Sequence, residues 1–209
     1  MKTTTKDETI YRFTSMDDID TDIFTKAKEE NIDINTEYSD WYDYIDEDLH
    51  RILGLLGYSN IESYFSGFYS QGDGASFEAD WTREKYLTKK IKDYAPKDEE
   101  LHQIAKALMQ YPVGTIGSVD RTILTRYYHS NTMTAELDYE TNEKYDGEIL
   151  EQCSRDLANW YYKFLEEGHD YLQSDESILE TFIVNEYEFN EDGGIIWKTQ
   201  ENLTEEKWI

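Results

Sequence analysis

Residues 61–81 constrain the fold more than any other segment, because they alternate with the two-residue period of a β-strand on both sides of a glycine-rich turn. After Gly72-Asp73-Gly74, the apolar residues Phe77, Ala79 and Trp81 alternate with polar residues. This pattern predicts a β-hairpin, because glycines supply the backbone conformations that a tight turn requires. A strand pair in this position argues against an all-helical bundle.

Apolar residues at helical spacing flank the hairpin, and a second pair of strands follows it. We expect helices over residues 15–34, 39–57, 83–94, 97–110 and 146–172, and a shorter one after Ser174. We expect the second strands over 116–129 and 132–140, turning at Ser130-Asn131. Ser15, Ser39 and Ser174 are suited to N-caps and Gly57 to a C-cap. The apolar stripe of the longest helix comprises Ile149, Leu150, Cys153, Leu157, Trp160, Tyr161, Phe164 and Leu165.

These elements predict an α+β fold, with a small antiparallel sheet of two hairpins covered by helices on one face, in a single domain. We expect an acidic N-terminal extension over residues 1–38, the core domain over 39–192 and a C-terminal tail over 193–209. Eighteen Tyr and five Trp supply bulky apolar surface that acidic disordered chains lack, so the chain should fold.

The formal net charge is −26, from 46 acidic and 20 basic residues. Like-charge repulsion argues against direct binding to nucleic acid or to an anionic membrane surface. The charge is concentrated at the ends of the chain, because residues 1–50 and 146–209 hold most of it. An end-loaded charge of this size destabilises a compact state, so we expect it to serve a binding function.

The single cysteine, Cys153, cannot form an internal disulfide, which fits a reducing compartment. The first residues contain no apolar core of a signal peptide, and the longest apolar run is too short to span a membrane. We therefore expect a soluble, cytoplasmic protein.

Several motifs with chemical meaning have a simpler structural explanation. The loop Ser70–Ser76 lacks the lysine and the following helix of a phosphate loop, and it also lacks the alternate acids of a calcium loop, so we expect a turn. Cys153 lies on an apolar helix face, where a thiol is buried and inert. His129 lies at a predicted strand end and is a candidate general base. None of these supports an enzyme or a cofactor, so we predict neither.

Glu three residues before His occurs at Glu47/His50, Glu99/His102 and Glu166/His169. On a helix, this spacing puts both side chains on one face, as in di-iron bundles. Because Glu is common in this chain, coincidental pairs are also expected, and the predicted strands argue against a bundle.

Four segments carry a resemblance to a known family: residues 64–78, 94–105, 155–162, and 171–176 followed by 185–189. They resemble a family of bacteriophage and prophage proteins that are mostly uncharacterised, some of them labelled antitoxin-like. The hairpin motif SGFYSQGDGASF is its specific signature, and the likeness extends over about residues 39–192. The resemblance implies a phage context and supplies no activity or catalytic residue.

An acidic phage protein is most economically an anti-defence inhibitor that acts in the host cytoplasm. We expect it to occupy the basic nucleic-acid-binding surface of a restriction, CRISPR or similar defence protein, because rows of carboxylates imitate phosphates. Self-association into a homodimer stays open. The expected partner-binding residues lie along two helices and beside them: Glu37, Asp40, Asp43, Asp46, Glu47, Asp146, Glu148, Glu151, Asp156, Glu166, Glu167 and Asp170.

Two alternatives stay open. An antitoxin-like or sponge protein would sequester a toxin or a signalling nucleotide, using aromatic hairpin residues as a stacking surface. Those residues are Phe65, Phe68, Tyr69, Phe77 and Trp81, and they also suit a hydrophobic core. A metal-dependent enzyme is the second alternative.

Overall fold

The computed structural model describes residues 9–37, 39–122, 127–138 and 145–197. Within them the α-helices are α1 (Asp22–Glu30), α2 (Asp43–Leu55), α3 (Leu87–Tyr94), α4 (Glu99–Leu108), α5 (Glu148–Leu172) and α6 (Asp175–Val184). The strands are β1 (Tyr58–Ser66), β2 (Gly74–Thr82), β3 (Ile116–Arg121) and β4 (Met133–Leu137). Short 3₁₀ helices cover Met16–Asp20, Ser39–Tyr42 and Ser130–Thr132. The predicted α+β class is confirmed.

The four strands form one antiparallel sheet in the order β1-β2-β3-β4. The predicted β1–β2 hairpin is present, and its turn depends on Asp73, whose carboxylate accepts hydrogen bonds from the backbone N–H groups of Tyr69 and Ser70. Gly67 and Gly72 in this turn have positive φ. The turn is therefore closed by its own carboxylate, and the N–H groups of Tyr69 and Ser70 are directed at Asp73.

Helix ends follow the expected capping chemistry in most places. Ser15 and Ser174 accept a hydrogen bond from the first turn of the helices they precede, as predicted. The prediction of Ser39 as a cap is wrong, because α2 begins only at Asp43 and Tyr42 occupies its N-cap without a side-chain bond. Gly57, with φ +94°, follows the C-cap Leu56. Its left-handed backbone brings Thr82 so close that no side chain fits there.

The chain folds as two compact units within this α+β domain. We call residues 42–122, 127–138 and 145–167 the sheet unit. Its core lies on one face of the sheet, where Tyr58, Phe77 and Trp81 are buried together with apolar residues of the helices. Trp81 and Phe77 are fully buried, and the Trp81 Nε1–H donates to the Leu56 carbonyl at 3.1 Å. The Tyr58 hydroxyl is 3.0 Å from Ser154 Oγ of α5, which gives this buried polar group a partner.

The α5 stripe is buried as predicted except for Phe164, which is 38% exposed, and Ile149, which is half-buried. The stripe of α4, Leu101, Ile104, Ala105 and Leu108, is buried. The strands β3 and β4 are shorter than the predicted 116–129 and 132–140. Parts of those two ranges, residues 123–126 and 139–140, lie outside the described residues.

We call residues 9–37, 39–41 and 168–197 the terminal unit. Phenylalanines from the two ends of the chain meet in its core, where Phe13 stacks on Phe182 with ring centroids 5.8 Å apart. The backbone of Tyr11 pairs with that of Phe189 through two hydrogen bonds of 2.9 Å. Lys28 of α1 forms an ion pair with Asp175 of α6. The acid-rich N-terminal segment is thus packed against residues that follow Gly168.

No helix in the described part of the chain is both long and apolar enough to cross a membrane.

Candidate partner-binding surface

The twelve carboxylates expected to bind a partner are divided between the two units. Glu37, Asp40 and Asp170 belong to the terminal unit, and all three are exposed. In the sheet unit, Asp43 and Glu47 lie exposed one helical turn apart on α2. The rest of the set lies on or immediately before α5, apart from Asp46 on α2. Within the sheet unit the structure therefore arranges these side chains in helical rows.

On α5, Glu167 forms an ion pair of 3.9 Å with Lys163, and two half-buried members of the row are engaged more closely within the protein. Glu151 forms an ion pair of 2.8 Å with Arg155 and also accepts from the Ala135 backbone N–H at 3.3 Å. Asp156 accepts from the Gln152 side-chain amide at 2.8 Å. Both side chains are half-buried. Their charge is partly used to join α5 to itself and to β4, so the α5 row presents fewer free carboxylates than the sequence suggests.

The face of the sheet opposite the core carries a group of acidic side chains that local sequence patterns did not single out. Residues paired across strands point to the same face, and Glu62 lies directly opposite Glu78. Asp80 pairs with Ser118, which in turn pairs with Glu136. We call this set the sheet carboxylates: Glu62, Glu78, Asp80, Asp120 and Glu136. All are exposed except Glu78, which is half-buried.

The sheet carboxylates repel one another. Neighbouring strands lie about 4.8 Å apart and alternate residues of one strand about 6.8 Å apart, and like charges directly opposite across strands are destabilising. Arg121 is the only basic residue of the four strands, and its Nε is 3.4 Å from Glu78 Oε1. One cation among five carboxylates leaves most of the repulsion in place.

Arg121 also contacts two aromatic rings beside this face. Its guanidinium carbon lies 4.2 Å from the ring centroid of Tyr64 and 4.8 Å from that of Tyr128. The two rings stack nearly parallel, with centroids 5.6 Å apart. The Tyr64 hydroxyl donates to Glu62 at 2.7 Å, and this hydrogen bond raises the pKa of Tyr64. These tyrosines fix the position of the guanidinium.

A cavity of about 370 Å³ opens at the edge strand β1, and five of its seven lining residues are aromatic. We call it the β1-edge pocket; it is lined by Tyr42, Asp46, Ser63, Tyr64, Phe65, Tyr128 and Tyr161. Asp46 is the only carboxylate among these seven. Its Oδ1 accepts hydrogen bonds from Ser63 Oγ at 2.5 Å and from the Tyr161 hydroxyl at 3.0 Å. Asp46 is thus held in the wall by two neutral donors.

Tyr161 is almost fully buried, and burial together with the Asp46 charge raises the pKa of its hydroxyl well above the ordinary range. The hydroxyl therefore stays protonated and remains a donor to Asp46 at physiological pH. The fixed carboxylate and the surrounding rings make the β1-edge pocket suited to a positively charged group.

Ser63, His50 and Asp46 lie together, but their geometry is not that of a hydrolytic triad. In a triad the histidine bonds serine through one ring nitrogen and the carboxylate through the other. Here His50 Nε2 lies 3.2 Å from Ser63 Oγ and 3.6 Å from Asp46 Oδ2, so one nitrogen faces both groups. The serine hydroxyl already donates to the carboxylate, and the arrangement positions Asp46.

The aromatic residues proposed as a stacking surface have different environments. Phe77 and Trp81 belong to the core, as the simpler interpretation required. Phe65 lines the β1-edge pocket, and Phe68 stacks on Tyr162 with centroids 5.7 Å apart. Tyr69 is 73% exposed. The ring centroid of Phe68 lies 6.0 Å from that of Phe65 and 6.5 Å from that of Tyr69, so these three rings are in contact and the two core rings are separate from them. The carboxylate beside Phe65 opposes the phosphate of a nucleotide.

The other candidate residues have structural partners. His129 Nδ1 accepts from the Asn131 backbone N–H at 3.1 Å, which caps a 3₁₀ helix. His102 is buried, and its Nε2 is 2.8 Å from the Ala95 carbonyl, while Glu99 is 3.7 Å from its other nitrogen. Cys153 is buried, which raises the pKa of its thiol to about 12. Among the described residues, no three metal-ligating side chains converge.

The fold and the site together define a small α+β protein with an acidic, open sheet face. The chain belongs to the family described as "Domain of unknown function (DUF8835)", whose model matches residues 41–175. That range contains the whole sheet and the β1-edge pocket. No curated protein and no solved structure matches the chain.

Proposed function

We propose that this chain is a phage-encoded anti-defence inhibitor, which binds a basic nucleic-acid-binding protein of the host through its carboxylates and acts in the host cytoplasm. The observation that carries the proposal is the set of sheet carboxylates, five acidic side chains on four strands with one cation among them. The phage context rests on the sequence resemblance, and the binding mode rests on the charge arrangement.

The density of charge supports mimicry of nucleic acid. Four strands span about 14 Å, since neighbouring strands lie about 4.8 Å apart. Five carboxylates across this width approach the linear charge density of a nucleic acid strand, which carries one phosphate per about 3.4 Å of axis. A groove of Lys and Arg side chains that binds phosphates would accept this face.

The energetic cost of the arrangement also favours a binding role. Exposed like charges destabilise the sheet, whereas a charge-balanced surface would keep the protein equally well hydrated. A basic partner relieves the repulsion and releases counterions on binding, so the same charges that weaken the free protein strengthen the complex. The sheet unit also carries the exposed acidic pair Asp43 and Glu47 on α2.

Capture from host lysate tests the proposal. Wild-type protein is immobilised and compared with a triple variant, Glu62→Gln, Asp80→Asn and Glu136→Gln, at about 50 and about 200 mM salt. With five contacts, the affinity of the wild type should fall by roughly a few hundred-fold over this range, and the triple variant should lose about three-fifths of the salt slope. The captured protein should be released by added DNA.

The matched control neutralises three exposed carboxylates of the terminal unit: Glu29→Gln, Glu30→Gln and Glu180→Gln. It changes the net charge by the same amount and should retain wild-type capture. An equal loss of capture in both triple variants would mean that binding depends on net charge alone and not on the sheet carboxylates. Capture that is insensitive to salt would show that the mimicry proposal is wrong.

A further inference from the structure

We propose that the β1-edge pocket receives an arginine side chain of the basic partner. This inference rests on the proposed function for the identity of the partner, but the chemistry of the pocket can be tested without it. Three observations support it: the charge of the pocket, the rings that line it, and a guanidinium that already contacts two of those rings.

Among the described residues that line the pocket, one side chain is charged, and it is a fixed anion. Asp46 is 31% exposed, and its Oδ1 is occupied by Ser63 and Tyr161. A carboxylate offers about four acceptor positions, and the two neutral donors on Oδ1 do not neutralise its charge. The basic group beside it is His50, whose Nε2 lies 3.6 Å from Asp46 Oδ2. A cation entering the pocket would therefore meet a carboxylate that is already oriented.

The rings of the pocket suit the same occupant. Aromatic faces carry negative electrostatic potential and attract cations within about 6 Å of the ring centroid. Tyr42 and Phe65 pack edge to face at 4.9 Å, and Tyr64 and Tyr128 stack in parallel. The lining thus combines several ring surfaces with one acid, which is the composition that recognises organic cations rather than phosphates.

The contacts of Arg121 indicate that the pocket suits an arginine side chain better than a lysine side chain. Its guanidinium lies against Tyr64 and Tyr128, which are two of the rings that line the pocket. A planar guanidinium stacks on aromatic rings and bonds a carboxylate with a fork of donors, whereas an ammonium is a strongly hydrated point charge. The charge of Arg121 is offset by Glu78, so the surroundings of the pocket remain net negative.

The test is an NMR titration of the full chain with N-acetyl-arginine methylamide, in parallel with the citrulline and lysine analogues. Citrulline has nearly the same shape without the charge, so it should bind at least about tenfold more weakly. Lysine should also bind more weakly than arginine. Amide shifts should concentrate around the pocket residues. Absent arginine binding, equal binding of citrulline, or equal binding of lysine would each overturn the proposal.

Two variants assign the binding to the pocket. Asp46→Asn keeps the side-chain shape and should weaken arginine binding at least about tenfold, whereas Asp93→Asn, which removes an exposed carboxylate of α3, should leave it unchanged. Tyr128→Leu removes one ring of the pocket, leaves Asp46 in place and should also weaken arginine binding. It replaces Asp46→Asn in the test if circular dichroism shows that Asp46→Asn does not fold. Unchanged binding in Tyr128→Leu and in a folded Asp46→Asn would overturn the assignment.

The two proposals fail separately. If the arginine probe does not bind while lysate capture still depends on salt and on the sheet carboxylates, the pocket proposal alone is wrong. If the probe binds the pocket but lysate capture is the same at both salt concentrations and in the triple variant, the pocket recognises a cation and the mimicry proposal is wrong.

Discussion

Arg83 directly follows β2, and two nitrogens of its buried guanidinium have no acceptor among the residues that the structure describes. The residue is 4% exposed, and within the described ranges neither Nε nor Nη1 has a hydrogen-bond partner. Its backbone is held independently of the side chain, because its N–H donates to the Thr115 carbonyl and its carbonyl accepts from the Gly114 N–H. Desolvation lowers the pKa of Arg83. We therefore predict that Arg83→Met stabilises the protein.

The magnitude follows from the two unpartnered nitrogens. An unsatisfied buried donor costs about 1–3 kcal/mol, so two cost about 2–6 kcal/mol. Methionine keeps an unbranched side chain of similar length and adds no polar group, so it replaces the stem without a large cavity. Attraction of the guanidinium to the net negative protein offsets part of the cost. The net gain should be about 2 kcal/mol, which corresponds to about 4–8 °C in Tm for a chain of this size.

Urea unfolding followed by circular dichroism measures this gain as a higher midpoint at an unchanged slope. Lys89→Met, at an exposed position of α3, is the control and should change stability by less than about 0.5 kcal/mol. Arg83→Lys keeps a buried charge and should bring no gain. If Arg83→Met instead lowers stability by more than about 1 kcal/mol, the guanidinium has acceptors in solution and the reasoning is refuted.

Three further predictions concern other parts of the molecule. Gly193→Ala should lower the free energy of unfolding by about 2 kcal/mol or more, because φ is +91° and the new Cβ would overlap the Lys26 carbonyl carbon. Thermal unfolding measures this loss as a lower midpoint, and an unchanged midpoint would contradict the close approach of the two backbones. Burial raises the pKa of Cys153 from 9.0 to about 12, so the stability it contributes is present below pH 9 and is lost as pH rises toward 12. Urea unfolding at pH 7 and 10 should show a smaller loss in Cys153→Ala than in the wild type, and equal losses would refute this assignment. Glu62→Gln removes the repulsion with Glu78 and should raise stability by about 0.2–1 kcal/mol at low salt, with a smaller gain at about 1 M salt; a gain independent of salt would exclude the electrostatic cause.

Local patterns predicted the local structure well. The alternation around Gly72-Asp73-Gly74 indicated the hairpin, and Ser174 marked the start of α6, because turns and caps depend on residues a few positions apart. The Ser39 cap failed for a related reason: the segment before α2 forms a 3₁₀ turn, so the α-helix starts one turn later.

The candidate site depends on contacts between residues that are far apart in the sequence, and local sequence periodicity does not predict such contacts. Glu78 and Asp80 were visible as the polar positions of β2, but their neighbours Glu62 and Glu136 follow only from the register of β1 and β4. Asp46 was expected on a solvated helix face, and its bonds to Ser63 and Tyr161 required β1 and α5 to meet α2. Its role in binding, and that of the other predicted carboxylates, stays a prediction.

The terminal unit has a consequence for synthesis on the ribosome. Phe24 leaves the ribosome well before its partners Phe182 and Phe189, because more than 150 residues separate them. At about 5–20 residues per second, the apolar side of α1 waits on the order of ten to thirty seconds for α6 and the segment around Phe189, which pack against it. During that interval the nascent chain carries an exposed phenylalanine surface among acidic residues, whose mutual repulsion opposes aggregation. The acids of the first 37 residues thus have a use before the protein has finished folding.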